Sequence, residues 1–142
     1  MKYFLGASMI FLASCNEVGA MDCDQRFADD YSTALSSGNL EWFMDNYYLE
    51  GVDETRLNSL KRILNLYFGH AISRAEIGDF PVDFRTEYER GGVKYRMSLV
   101  PTKLLTVHFV VDPDALNVIT ASSVPVGMVN GRCYVAAARV DP

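Results

Sequence analysis

At 142 residues the chain has the length of one domain rather than two, because compact domains centre on about 100–150 residues. Its 49% hydrophobic and 22% charged content is that of a globular protein with apolar material for a core, which excludes an extended or disordered chain. Eighteen acidic residues outweigh thirteen basic ones, for a formal charge of −5, and no Lys/Arg cluster is present to neutralise phosphates, so nucleic acid is excluded as an expected partner.

The first residues read as an export leader. Lys2 supplies a positive start and Tyr3 to Ala13 is an uncharged apolar run, the anatomy of a signal peptide. About a dozen residues fall short of the roughly 20 that a helix needs to cross a bilayer core. The run closes in Leu12-Ala13-Ser14-Cys15, an apolar residue, two small ones and a cysteine, which resembles the bacterial lipobox. That resemblance implies removal of residues 1–14, acyl chains such as palmitate on Cys15, a lipidated tether over 15–21 and a single domain over 22–142. It also implies a bacterial cell-envelope address, with the domain anchored to a membrane and facing the periplasm or the exterior. The alternative is cleavage after Val18-Gly19-Ala20, which would release a secreted, soluble protein beginning at Met21. With Lys2 lost alongside the leader, twelve basic residues face eighteen acidic ones and the charge becomes −6. Attachment to a membrane then falls to the acyl chains rather than to basic residues.

With Cys15 taken by lipid, Cys23 and Cys133 remain, an even pair in a compartment that permits disulfides. They either close a loop around nearly the whole domain or stay as two buried thiols.

From Asp22 or Asp24 a helix is expected, with an Asp N-cap, apolar positions at Phe27, Tyr31 and Leu35, and Gly38-Asn39 as its end. Leu40 to Tyr48 carries Trp42, Phe43, Tyr47 and Tyr48 and reads as a second short helix closed by Gly51. The clearest helix runs from about Asp53 to Phe68, where Leu57, Leu60, Ile63, Leu64, Tyr67 and Phe68 follow the 3.6-residue period. Its other face holds Arg56, Asn58, Ser59, Lys61, Arg62 and Asn65, and Gly69 supplies the left-handed stop.

After Ala71 the period changes to two. Ala71 to Ile77 is expected as a strand, broken by Asp79-Phe80-Pro81. Phe84 to Arg90, Gly91-Gly92 and Val93 to Val100 read as a hairpin on a primed turn. That turn pairs Arg90 with Val93, Glu89 with Lys94, Tyr88 with Tyr95, Glu87 with Arg96 and Phe84 with Leu99, which suggests a ladder of ion pairs along one face. Leu104 to Val111 forms a further strand with Leu105, Val107, Phe109 and Val111 on its apolar face, and Pro113-Asp114 turns the chain. Ser122 to Val129 and Arg132 to Val140 make a second hairpin about Asn130-Gly131, with Pro125 arguing for an edge position or a bulge.

Helices first and mostly antiparallel strands after them define an α+β domain, with two or three N-terminal helices packed on a bent sheet of four to six strands. Over about residues 24–140 this order is similar to the nuclear transport factor two-like superfamily, a cystatin-like α+β roll. The resemblance is architectural and implies a conical pocket between sheet and helix. It does not select a function, since that superfamily contains enzymes, ligand-binding proteins and adaptor or immunity modules.

The polar candidates for chemistry are His108 and His70. His108 shares a sheet face with Asp112, but four residues of strand span about 13 Å, too far for a hydrogen bond, and Asp112 before Pro113 reads as a turn residue. His70 follows the Gly69 stop, where it can interact with the last helical carbonyls. Two histidines without metal-ligand spacing, and carboxylates without a dense oxygen pattern, give no expected metal. No nucleophile elbow, phosphate loop or dinucleotide fingerprint occurs, so no cofactor is expected. The aromatics Trp42, Phe43, Tyr47, Tyr48, Tyr67, Phe68, Tyr88 and Tyr95 either fill the core or line a pocket for a small apolar ligand. The expectation is therefore a noncatalytic, lipid-anchored envelope protein that binds a protein partner or a small ligand. The alternative is a pocket enzyme of dehydratase, isomerase or hydrolase type from the same superfamily, using His108 or His70 with a carboxylate.

Overall fold

The computed structural model describes residues 22–116 and 118–141. The leader over 1–14, Cys15, the tether over 15–21 and the alternative cleavage site at Ala20 lie outside the described residues.

Helix α1 spans Gln25–Ser37 and starts where the sequence reading puts it: the Asp24 carboxylate accepts the Phe27 N–H at 3.3 Å, satisfying one of the first turn's free donors. It ends at Gly38 in the left-handed conformation, φ 70°. Ala28, Tyr31, Ala34 and Leu35 form its buried face. Helix α2, Leu40–Asn46, is capped by Asn39, whose Oδ1 accepts the Trp42 N–H at 3.1 Å. It stops two residues before the expected end, because Tyr47–Tyr48 leaves the helix as strand β1 and pairs in parallel with the chain at Val135 and Ala136. Tyr47 turns inward and is buried, while Tyr48 packs edge-on against Tyr134 with ring centroids 5.4 Å apart. Two adjacent tyrosines suit a pleated surface better than a helix.

Helix α3, Glu54–Tyr67, is capped by Asp53 through the Arg56 N–H at 2.8 Å. Gly69 follows with φ 81°, and its N–H donates to the Leu35 carbonyl at 3.3 Å, tying the ends of α3 and α1 together. The expected buried face of α3 is only partly realised: Leu64 is buried and Leu60, Tyr67 and Phe68 pack against the core, yet Ile63 is 51% exposed, and Leu66, outside that face, is 65% exposed.

The strands are β2 (Ile72–Gly78), β3 (Glu87–Arg90), β4 (Val93–Met97), β5 (Lys103–Phe109), β6 (Ala121–Val129), β7 (Arg132–Ala136) and β8 (Ala138–Val140). They form a five-stranded sheet in the order β1-β7-β6-β5-β2 and a three-stranded sheet in the order β3-β4-β8. Every pairing is antiparallel except β1 with β7. The architecture is thus α+β, with three helices among the described residues, a mixed five-stranded sheet and an antiparallel three-stranded one. Among the described residues no helix is long and apolar enough to cross a membrane.

Both hairpins turn as expected. Gly91 and Gly92 have φ of 60° and 78°, and Asn130 and Gly131 of 51° and 79°, the positive angles that primed turns require. The pairs from Arg90–Val93 to Glu87–Arg96 form in the expected register. Pairing stops there, and Phe84 does not oppose Leu99: a turn from Pro81, whose carbonyl accepts the Phe84 N–H at 3.1 Å, stacks Phe84 on Phe80 with centroids 4.3 Å apart. The ion-pair ladder is absent too, since Arg96 reaches Asp141 at 3.5 Å instead of Glu87.

The expected single strand from Arg132 to Val140 is split. At Ala137 the chain leaves the larger sheet for the smaller one, and the junction is held by Ser98, whose N–H donates to the Ala137 carbonyl at 2.7 Å while its Oγ accepts the Ala137 N–H at 3.0 Å. This departure also accounts for Pro125. Strand β6 is central rather than an edge, but its pairing with β7 covers only Val126 to Val129, so Pro125 falls where one side of the strand has no ladder to donate to. Val111 lies past the end of β5 and is exposed.

The core lies between α1, α2 and the larger sheet. Tyr31, Trp42 and Phe43 meet edge to face at 5.1–6.0 Å, above Leu105, Val107, Val126 and Val135, each fully buried. Cys23, just ahead of α1, is joined to Cys133 on β7 with Cα atoms 5.3 Å apart, so the bridge ties the helical layer to the sheet.

Candidate functional site

Helix α3 and the junction of the two sheets line a half-open cavity of about 560 Å³. Its existence follows from side-chain size. On the helix side stand Leu60, Ile63, Leu66 and Tyr67, while the facing wall is built from Ser122 and Val124 of β6 and from Ala136, Ala137 and Ala138 around the junction of β7 and β8. Bulky groups facing alanines and serines leave room that close packing would otherwise remove. Tyr47 and Val52 line the cavity as well, as do Tyr88 and Arg90 of the small sheet.

The aromatics divide accordingly. Tyr47, Tyr67 and Tyr88 line the cavity, whereas Phe43 is a core residue with Trp42 and Phe68 packed on it. Tyr95 is buried beneath Arg56, which donates to its hydroxyl and lays its guanidinium 4.3 Å from the ring centroid, a cation–π arrangement. Burial pushes the Tyr47 hydroxyl well above the usual phenol range, so it is neutral at physiological pH.

Arg56, Ser59 and Arg62 also line the cavity; Arg62 is exposed, as its place on the wet face of α3 requires, whereas Arg56 and Ser59 are half-buried, a correction to the expected wet face. At about 100° per residue, Arg56 and Ile63 are seven positions apart and therefore lie on the same side. The spacing carried that signal, but charge alone had placed Arg56 with solvent. The wall contains Arg56, Arg62 and Arg90 and no carboxylate or histidine. The Nε of Arg56 is buried without a hydrogen-bond partner among the described residues.

Neither candidate histidine lines this cavity. His108 points to the opposite face of the larger sheet from the buried Leu105, Val107 and Phe109. There its Nε2 meets Glu76 Oε1 at 2.8 Å, with Arg74 3.4 Å away. The hydrogen bond from His108, supported by Arg74, holds the Glu76 carboxyl below the usual glutamate range. Glu76 is half exposed, so water screens the pair. The carboxylate partner comes from β2, 32 residues before His108 with β3 and β4 between them, and only the register of β2 on β5 reveals it. Asp112 is no partner of His108 and closes a local turn by accepting the Asp114 N–H at 3.0 Å. His70 is exposed; its backbone N–H donates to the Tyr67 carbonyl at 3.3 Å and its ring meets Phe109 edge-on at 5.9 Å. Among the described residues no three His, Cys, Asp or Glu side chains gather as a metal site.

Compared with known protein families, with curated proteins and with solved structures, the chain matches none. What fold and cavity define is a class: an α+β domain in which one helix and two sheets line a half-open, largely apolar cavity.

Proposed function

We propose that this is a lipid-anchored protein of the bacterial cell envelope whose domain binds a small apolar ligand without transforming it. The observation that carries the reading is the cavity under α3. Its volume falls within the roughly 300–1,000 Å³ of small-molecule sites, and Ile63 and Leu66 remain largely uncovered beside it. Full burial of such a side chain is worth about 1.5–3 kcal/mol, and with 51% and 65% of their surface still exposed a ligand would supply roughly half to two thirds of that at each. The cavity wall offers no acid–base pair, and among the described residues the one histidine–carboxylate contact is on the outer, wet face of the sheet, which favours binding over catalysis. Three helices ahead of the long strands support kinship with the nuclear transport factor two-like roll. The Cys23–Cys133 bridge supports an oxidising compartment, in keeping with export and acylation at Cys15.

The test uses the mature chain 15–142 carrying Cys15→Ser, which removes only the acyl acceptor. The neutral fluorophore N-phenylnaphthylamine is expected to bind at one site with a fluorescence increase. Ala138→Phe and Ser59→Phe, which fill the cavity from opposite walls, are expected to weaken binding at least tenfold while circular dichroism stays unchanged. Equal binding by both filled variants would overturn the reading. Mass spectrometry of the native N-terminus checks the anchor, and an unmodified Met21 start would replace it with secretion.

A further inference from the structure

We infer that the ligand of this cavity is an amphipathic anion, a single-chain or ring-bodied apolar acid whose charged head is received by Arg56, Arg62 and Arg90. The inference rests on the ligand-binding reading and adds the chemical class of the ligand.

Charge distribution is the first support. Acidic residues outnumber basic ones by eighteen to thirteen over the chain, yet the cavity wall reverses that balance, with three arginines and no carboxylate. The remaining ionisable groups of the wall are the tyrosines Tyr47, Tyr67 and Tyr88, and the buried Tyr47 hydroxyl keeps its proton, so nothing on the wall offsets the positive charge.

Pairing is the second. The ion pairs among the described residues use Arg74, Arg96, Lys103 and His108, and none involves the three cavity arginines. Arg56 is the most constrained of them. It is half-buried and held against Tyr95 by ring and hydroxyl, with its Nε enclosed and unbonded. A guanidinium drawn out of water without a counter-charge is costly, and a planar anionic head can accept two of its N–H groups at once.

Size is the third. At about 30 Å³ per non-hydrogen atom, the share of volume a water molecule takes in the liquid, a cavity of about 560 Å³ holds roughly 15–20 such atoms. That fits a monomeric fatty-acid-sized molecule, whereas a headgroup still seated in a bilayer would have to leave its chains outside the apolar space.

The test compares two probes of nearly identical shape on the mature Cys15→Ser chain: the neutral N-phenylnaphthylamine and the anionic anilinonaphthalenesulfonate. The anionic probe is expected to bind at least tenfold tighter, and Arg62→Gln/Arg90→Gln, two exposed positions whose loss leaves the fold intact, to reduce that preference severalfold. Adding Arg56→Gln is expected to abolish it, read as the ratio of the two probes' affinities so that any change of cavity shape felt by both cancels. Dodecanoate is expected to displace the anionic probe at least tenfold more effectively than dodecanol does. Equal affinity of the two probes, or a preference that survives all three substitutions, overturns the anion inference and leaves the apolar cavity reading standing; failure of both probes removes both. Displacement by inorganic phosphate as effective as by dodecanoate would overturn the requirement for an apolar body. Arginine-dependent binding to phosphatidylglycerol vesicles without displacement by dodecanoate would assign the arginines to a membrane surface instead.

Discussion

Breaking the Cys23–Cys133 bridge removes a crosslink that spans 110 residues of sequence, nearly the full length of the folded domain. In the chain-entropy description, a loop of that size lowers the entropy of the unfolded chain by about 16 cal/mol/K, which corresponds to about 5 kcal/mol at 25 °C. Domains of this size are stable by only about 5–15 kcal/mol, so the bridge decides whether the molecule is robust or marginal. It also joins the start of α1 to β7, so without it the helical layer is held to the sheet by packing and by single hydrogen bonds such as those from Gln25 to the Ala75 carbonyl and from Arg132 to the Asp45 carbonyl. With a urea slope of about 1.5 kcal/mol/M, reduction is expected to lower the unfolding midpoint by about 3 M. The assay is urea unfolding followed by tryptophan fluorescence at Trp42, with and without a phosphine reductant, alongside Cys23→Ala/Cys133→Ala. The double variant removes the sulfur atoms as well as the link, and the reduced wild type keeps them, which separates lost packing from lost crosslink. Oxidised and reduced protein unfolding within 1 kcal/mol of each other would refute the argument that the unfolded chain is what the bridge constrains.

Gly127→Ala is expected to destabilise by about 1–3 kcal/mol, because a Cβ there would sit 2.5 Å from the Val100 carbonyl oxygen and 2.8 Å from Leu99 Cδ1; a gain in the urea midpoint, the usual result of Gly→Ala in a strand, would deny the close approach. Burial pushes the Tyr31 hydroxyl up from 10.0 to about 12; a raised value stabilises the folded state below pH 10 and is lost as pH rises toward 12, a loss of about 3 kcal/mol that Tyr31→Phe is expected to abolish in alkaline unfolding curves. Glu76 lies on the other side of the scale: its carboxyl is held below the ordinary 4.5 by the bond from His108 and by Arg74, so its contribution is present above that pH and lost as pH falls through the lowered value. Glu76→Gln is expected to flatten the acid limb of the stability profile, and a limb of unchanged slope would show that the pair is fully screened.

What could be read from residues in order is what short-range chemistry controls. Asp24 and Asp53 accept first-turn N–H groups, Gly38 and Gly69 stop helices at positive φ, and Gly91-Gly92 and Asn130-Gly131 set the register of two hairpins; each acts within about four residues of itself. The α+β class followed from the order in which those signals appear. The failures share a different cause. The parallel pairing of Tyr47–Tyr48 with β7, the departure of the chain at Ala137, the meeting of Glu76 with His108 and the gathering of Arg56, Arg62 and Arg90 around one cavity all depend on which distant segment lies alongside. Local preference is blind to such neighbours, because they are selected by chain closure and by how large side chains on α3 face small ones at the sheet junction. The sequence alone therefore determined the elements, their caps and their turns. Only the tertiary structure decided where apolar surface stays uncovered and which charges surround it, since both are properties of space left between elements rather than of any element by itself.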